Sequence, residues 1–161
     1  MIYRASLDKT AIVITIAVTI LFAVIIGGQY LIIKDAGRVV PIYTTAACLL
    51  IYLLTFAFRP VSYVVTKEEL IVRRPVLNVY IKRTDIKSVE LVDKKKISRS
   101  IRIFGVGGLF GYYGSFANSS LGHMTWYATR RDKPVLIKTV EGKKIIFTPD
   151  DRERFIAELT S

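Results

Sequence analysis

Reactive side chains are scarce in this chain. Among 161 residues there is one cysteine, Cys48, and one histidine, His123. A lone cysteine forms no intramolecular disulfide, and Cys48 sits in an apolar run where packing is the plain reading. His123 has no cysteine or second histidine near it, so a metal centre lacks ligands and none is expected. A Ser120–His123–Asp132 triad can be written down, but no nucleophile elbow accompanies it. No G-K-[ST] phosphate loop occurs. Asp150 and Asp151 precede a segment with an apolar stripe, so they read as a helix cap rather than as a catalytic carboxylate pair. Acidic residues number 13 against 24 basic ones, for a net charge of +11. No catalytic residue and no cofactor is expected, and the chain is read as a non-enzyme.

Charge itself is missing from two long stretches. "AIVITIAVTILFAVIIGGQYLII" runs from Ala11 to Ile33, and "VVPIYTTAACLLIYLLTFAF" from Val39 to Phe58. Each has the roughly 20 residues needed to cross a bilayer as a helix. Spans are expected at about 11–33 and 39–58, within an anchor of residues 1–60. A cleaved signal peptide fits the first run poorly: the run exceeds the roughly 7–15 residues of an h-region, and no A-x-A-like site follows.

The linker "KDAGR", residues 34–38, allows only a tight turn, so an antiparallel hairpin is expected. The turn carries Lys34 and Arg38. The opposite side carries Arg4, Lys9, Arg59 and Lys67, with Arg73 and Arg74 beyond. The positive-inside rule then puts both termini in the cytoplasm. Ala11, Thr15, Thr19, Ala23 and Gly27 recur every four residues and form a small-residue groove. Packing within the hairpin is one reading of that groove, and dimerisation is the other.

Arg59-Pro60 ends the second apolar run. About seven β-rich segments follow: "VSYVVT", "ELIVRR", "VLNVYIK", "IKSVELVD", "HMTWYATR", "PVLIKTV" and "KKIIFT". Trp126 and Tyr127, adjacent in one of them, should point to opposite faces. Glu141-Gly142 marks a hairpin turn. Phe155, Ile156 and Leu159 give the last segment a helical stripe. The expected domain, residues 61–161, is therefore mainly β, a bent sheet or partly open barrel stoppered by a C-terminal helix. The segments "YVVTKEELIVRR", "IKRTDIKSVELV", "RIFGVGGLFGYYGSF" and "GHMTWYATRRDKPVLIKTVEGKKIIFTP" resemble the bacterial pleckstrin-homology (PH)-like domains of small membrane-anchored proteins. The resemblance covers roughly residues 61–160. It implies a binding or scaffolding module in the bacterial inner (cell) membrane, and no reaction.

"RIFGVGGLFGYYGSF", residues 102–116, holds five glycines and five aromatics. Gly105 and Gly107 give G-x-G, but position 110 is Phe and no helical pattern follows, so a dinucleotide site is not expected. Two readings stand. Glycines allow close backbone approach while aromatics fill a core. Alternatively, Phe110, Tyr112, Tyr113 and Phe116 dip into the headgroup region of the membrane. Nearby, "KKKISRSIR" puts Lys94, Lys95, Lys96, Arg99 and Arg102 within nine residues. Such a run is a solvated loop or a contact for anionic lipid. A protein partner or homo-oligomer is the expected company, anionic lipid the alternative, and nucleic acid is not expected beside a membrane hairpin.

Overall fold

Two helices form where the sequence is free of charge. Helix α1 covers Lys9–Ile32 and helix α2 covers Val39–Ala57, 24 and 19 residues. At 1.5 Å per residue they are about 36 and 28 Å long. Both are long and apolar enough to cross a membrane. The computed structural model describes residues 1–32 and 39–161. The expected turn at 34–38, with Lys34, Asp35 and Arg38 of the topology argument, and Ile33 at the end of the first span, lie outside the described residues. On the outward faces, Leu31 is 74% exposed and Tyr43 is 72% exposed. No described residue covers these side chains, and hydrocarbon is the solvent that suits such surfaces. Where the helices meet, Gln29 Nε2 donates to Thr45 Oγ1 at 2.8 Å and to the Pro41 carbonyl at 3.2 Å. Thr19 Oγ1 and the Tyr52 hydroxyl lie 3.0 Å apart.

Among the described residues ten strands make two sheets. The first sheet is β1 (Ile2–Arg4), β2 (Ser62–Val65), β3 (Glu69–Arg73) and β4 (Val79–Lys82), antiparallel and in that spatial order. The second contains β5 (Ile86–Leu91), β6 (Ile101–Gly108), β7 (Gly111–Asn118), β8 (Gly122–Ala128), β9 (Val135–Thr139) and β10 (Lys144–Phe147). Its order is β5-β9-β10-β8-β7-β6, antiparallel except between β8 and β10. No closed barrel forms among the described residues. The seven segments expected from the sequence are all strands. The three additional ones are β1 and the two halves of the glycine-aromatic stretch, which is a β-hairpin turning at Leu109 and Phe110. In its middle Gly105 faces Gly114, with φ of +104° and +120°. A Cβ on Gly114 would lie 2.8 Å from the Gly105 Cα, so neither position accepts a side chain.

Strand β1 changes the topology. Arg4 pairs with Ser62 across the β1–β2 ladder. The helical pair is thus inserted into the connection between two paired strands, and both helices join the first sheet at the same end of those strands.

Strand alternation splits the second sheet's side chains between two cores. Val135 and Ile137 of β9 face the first sheet, and Leu136 faces away from it. The core between the sheets takes Tyr63, Leu70, Val72 and Phe147 and is closed by helix α4 (Arg152–Thr160) through Phe155 and Leu159. Each such side chain contributes about 1.5–3 kcal/mol by burial. Asp151 caps α4, its carboxylate accepting from the Arg154 N–H at 3.1 Å. On the opposite face Trp126 stacks on Phe116 at 4.4 Å, beneath Ile97 of the short helix α3 (Lys94–Ser98) and Ala11 of α1. Trp126 and Tyr127 do occupy opposite faces, Trp126 in this second core and Tyr127 against the first.

Candidate functional site

The tip of the β6–β7 hairpin sits between the near ends of the two helices. Helix α1 reaches it from the face that bears Tyr112, where the Tyr112 hydroxyl donates to Asp8 Oδ1 at 3.2 Å. Helix α2 reaches it from the other face, where the Tyr113 hydroxyl donates to the Thr55 carbonyl. At the turn, the Phe110 N–H donates to Thr15 Oγ1 at 2.9 Å. The Phe110 ring stands edge-on to Tyr52 and Phe56, with centroids 5.1 and 5.5 Å apart. Gly108 comes so close to α1 that a Cβ would lie 2.5 Å from Ile14 Cδ1.

Asp8 organises the α1 side of this seam. Oδ1 caps the helix by accepting from the Ala11 N–H at 2.7 Å, and Oδ2 accepts from the Arg131 N–H at 3.1 Å. Three arginines lie flat on rings nearby. Arg59 covers Phe56 at 4.4 Å, Arg131 covers Tyr112 at 4.5 Å, and Arg74 covers Tyr127 at 4.8 Å. Burial pushes the Tyr112 hydroxyl up to about 12, and the Asp8 charge adds to the shift. Burial also raises Tyr113, against the opposing charges of Arg59 and Arg74. Both hydroxyls therefore stay protonated donors at neutral pH.

The expected contact residues separate into two groups. Phe110, Tyr112, Tyr113 and Phe116 are buried, the last at 0% exposure. The exposed aromatic of the stretch is Phe104, flanked on β6 by Ile101 and Ile103. Lys94, Lys95, Lys96, Arg99 and Arg102 are exposed. The three lysines ride on α3, which Ile97 pins to the second core and Asp93 caps by accepting from the Lys95 N–H at 2.8 Å. Asn118 Nδ2 holds the α3 end through the Lys96 carbonyl at 2.8 Å. This basic end is separated from the hairpin tip by the length of β6, about 23 Å at 3.3 Å per residue.

Of the small-residue groove, Ala11, Thr15 and Thr19 meet the hairpin tip or α2, while Ala23 and Gly27 are exposed. A four-residue step overshoots the 3.6-residue turn by about 40°, so the row rotates away. Phe22 and Gln29 continue the seam with α2. His123 Nε2 pairs with Ser115 Oγ at 2.7 Å, and Asp132 is held by Arg130 at 2.5 Å. No group of three or more His, Cys, Asp or Glu among the described residues is arranged to hold a metal. Sequence reasoning missed Asp8, Thr55, Arg59 and Arg74 as seam residues. Only Asp8 carried a local signal, an aspartate directly before an apolar run.

A family model described as Bacterial PH domain matches residues 61–161. No curated protein and no solved structure matches the chain. Domains of this kind are generally binding modules without catalysis. Two sheets closed by a C-terminal helix agree with that match, and the chain belongs to the bacterial PH domain family, with two apolar helices ahead of its domain.

Proposed function

We propose that this protein is an integral membrane scaffold: anchor 1–60 holds the PH-like domain 61–161 against the bilayer, and the domain binds a protein partner or further copies of the chain. The location we assign is the bacterial inner membrane, with both termini cytoplasmic. The observation that carries this reading is the seam. Three hydrogen bonds and the Phe110–Tyr52–Phe56 cluster fasten the domain to the helix ends. A domain fixed in one pose presents the same surface at all times, which suits assembly. The test is chemical crosslinking of the full chain in native membranes, followed by solubilisation in mild detergent and capture. A reproducible partner or a discrete oligomer is expected. A monomer that captures nothing in repeated trials counts against the scaffold.

The exposed lysines of α3 favour a second reading, a sensor of anionic headgroups. Each basic residue near an anionic surface contributes about 1 kcal/mol. Amide exchange of the full chain in nanodiscs tests it. Protection of residues 94–102 should rise with the anionic lipid fraction, fall with salt, and vanish in Lys94→Glu with Lys95→Glu. Protection independent of lipid charge removes this reading.

A further inference from the structure

Beside the seam lies a cleft that the hairpin contacts leave open. It has a volume of about 430 Å³ and is lined by Leu54 of α2, Phe58 just after that helix, Phe104 and Val106 of β6, and Tyr113 and Tyr127. Gly105 and Gly114 also line it. Arg74 lines it too, its guanidinium over the Tyr127 ring, and its buried Nε has no acceptor among the described residues. No carboxylate pairs with Arg74 among them either.

We propose that this cleft holds one acyl chain of an anionic phospholipid, with the phosphate at Arg74. The inference rests on reading α1 and α2 as membrane spans. Three observations point to a lipid. One wall is α2 itself, so a lipid beside that helix enters laterally without crossing water. The lining is mostly apolar, with Thr55, Thr125 and two tyrosines beside Arg74 as its one charged residue, which matches a molecule with one charged end and a long apolar one. Phe104, which lines the cleft, is 79% exposed, so an apolar ring faces outward beside it. A second copy of the chain fits less well, because it would bring Arg74 against a chain of net charge +11.

The experiment is native mass spectrometry of the full chain released from nanodiscs of phosphatidylglycerol or of phosphatidylcholine. One retained phosphatidylglycerol is expected, held in preference to phosphatidylcholine. Val106→Trp, which fills the cleft, should cut retention about tenfold, and Arg74→Gln should erase the headgroup preference by a similar factor, the loss of one charge-assisted contact. Phe104→Glu, at an exposed position where folding is not at stake, should also cut retention by placing a carboxylate on the lining of the cleft that Arg74 shares. Equal retention by the wild type and Phe104→Glu overturns the proposal. So does a dimer that these variants dissociate, which would make the cleft a self-association surface. Carbonate extraction of the same membranes reads the anchor separately. Protein that resists carbonate yet retains no lipid refutes the cleft and leaves the anchor standing. Protein that carbonate strips away refutes both.

Discussion

Asp8 shows how much one side chain settles here. Its carboxylate caps α1, receives the Tyr112 hydroxyl and fixes the loop at Arg131. Asp8→Ala should lower stability by about 1–2 kcal/mol for the cap alone, with a further cost for the stranded hydroxyl, read as a lower Tm of the full chain in detergent. Tyr112→Phe in that background should recover part of the loss, since it removes the unpaired group. The buried tyrosines set a limit at high pH. Tyr63 is pushed up to about 12 by burial; its hydroxyl donates to the Tyr127 carbonyl at 2.5 Å and accepts from the Thr148 N–H at 3.3 Å. A tyrosine in the unfolded chain ionises near 10, so the native state binds the proton more tightly. The stability this provides is complete below pH 10 and is lost as pH rises toward about 12. Tyr63→Phe should flatten that alkaline decline in a Tm-against-pH series, and an unchanged slope would contradict the assignment. Little of this was legible in the sequence. A helix cap is local and can be read beforehand, as Asp151 was, but Arg74 meets Tyr127 and Tyr113 meets Thr55 across more than fifty positions of chain.

At the scale of elements, the strands with alternating β-branched residues were legible and β1, β6 and β7 were not. Strand β1 is three residues long and leaves no periodic signal. Strands β6 and β7 are rich in glycine, which is depleted in ordinary strands. Their glycines serve approach instead: the tip must pass close to α1, and the middle of the hairpin must be bare. Gly108→Ala should test this. Its φ of +141° disfavours any side chain, and Ile14 stands in the way. A cost of about 1–3 kcal/mol is expected. Ile14→Ala should restore part of it through the shared contact; strictly additive losses would show that hairpin and helix do not press on each other. Deleting residues 2–4 should expose the Tyr63 edge and remove Tyr3, which stacks edge-on to Phe155 at 5.2 Å. The expected loss is about 1.5–3 kcal/mol or more, measured as the Tm of the truncated chain.

For the whole molecule, composition alone announced two apolar helices and a basic remainder, and that division was legible from the first reading. How the halves meet was not, because the seam is made of contacts between distant segments. Helices α1 and α2 emerge from neighbouring strands, Arg4 opposite Ser62, and are clasped again at the hairpin tip. A body mounted on a single stalk swivels about it and samples every azimuth. This one stands on two struts whose feet are bolted to adjacent rungs, so rotation about the helix axes requires the struts themselves to turn. Twist or tilt applied to the helices is therefore conveyed directly to the β-sheets, and a load placed on the sheets is conveyed back.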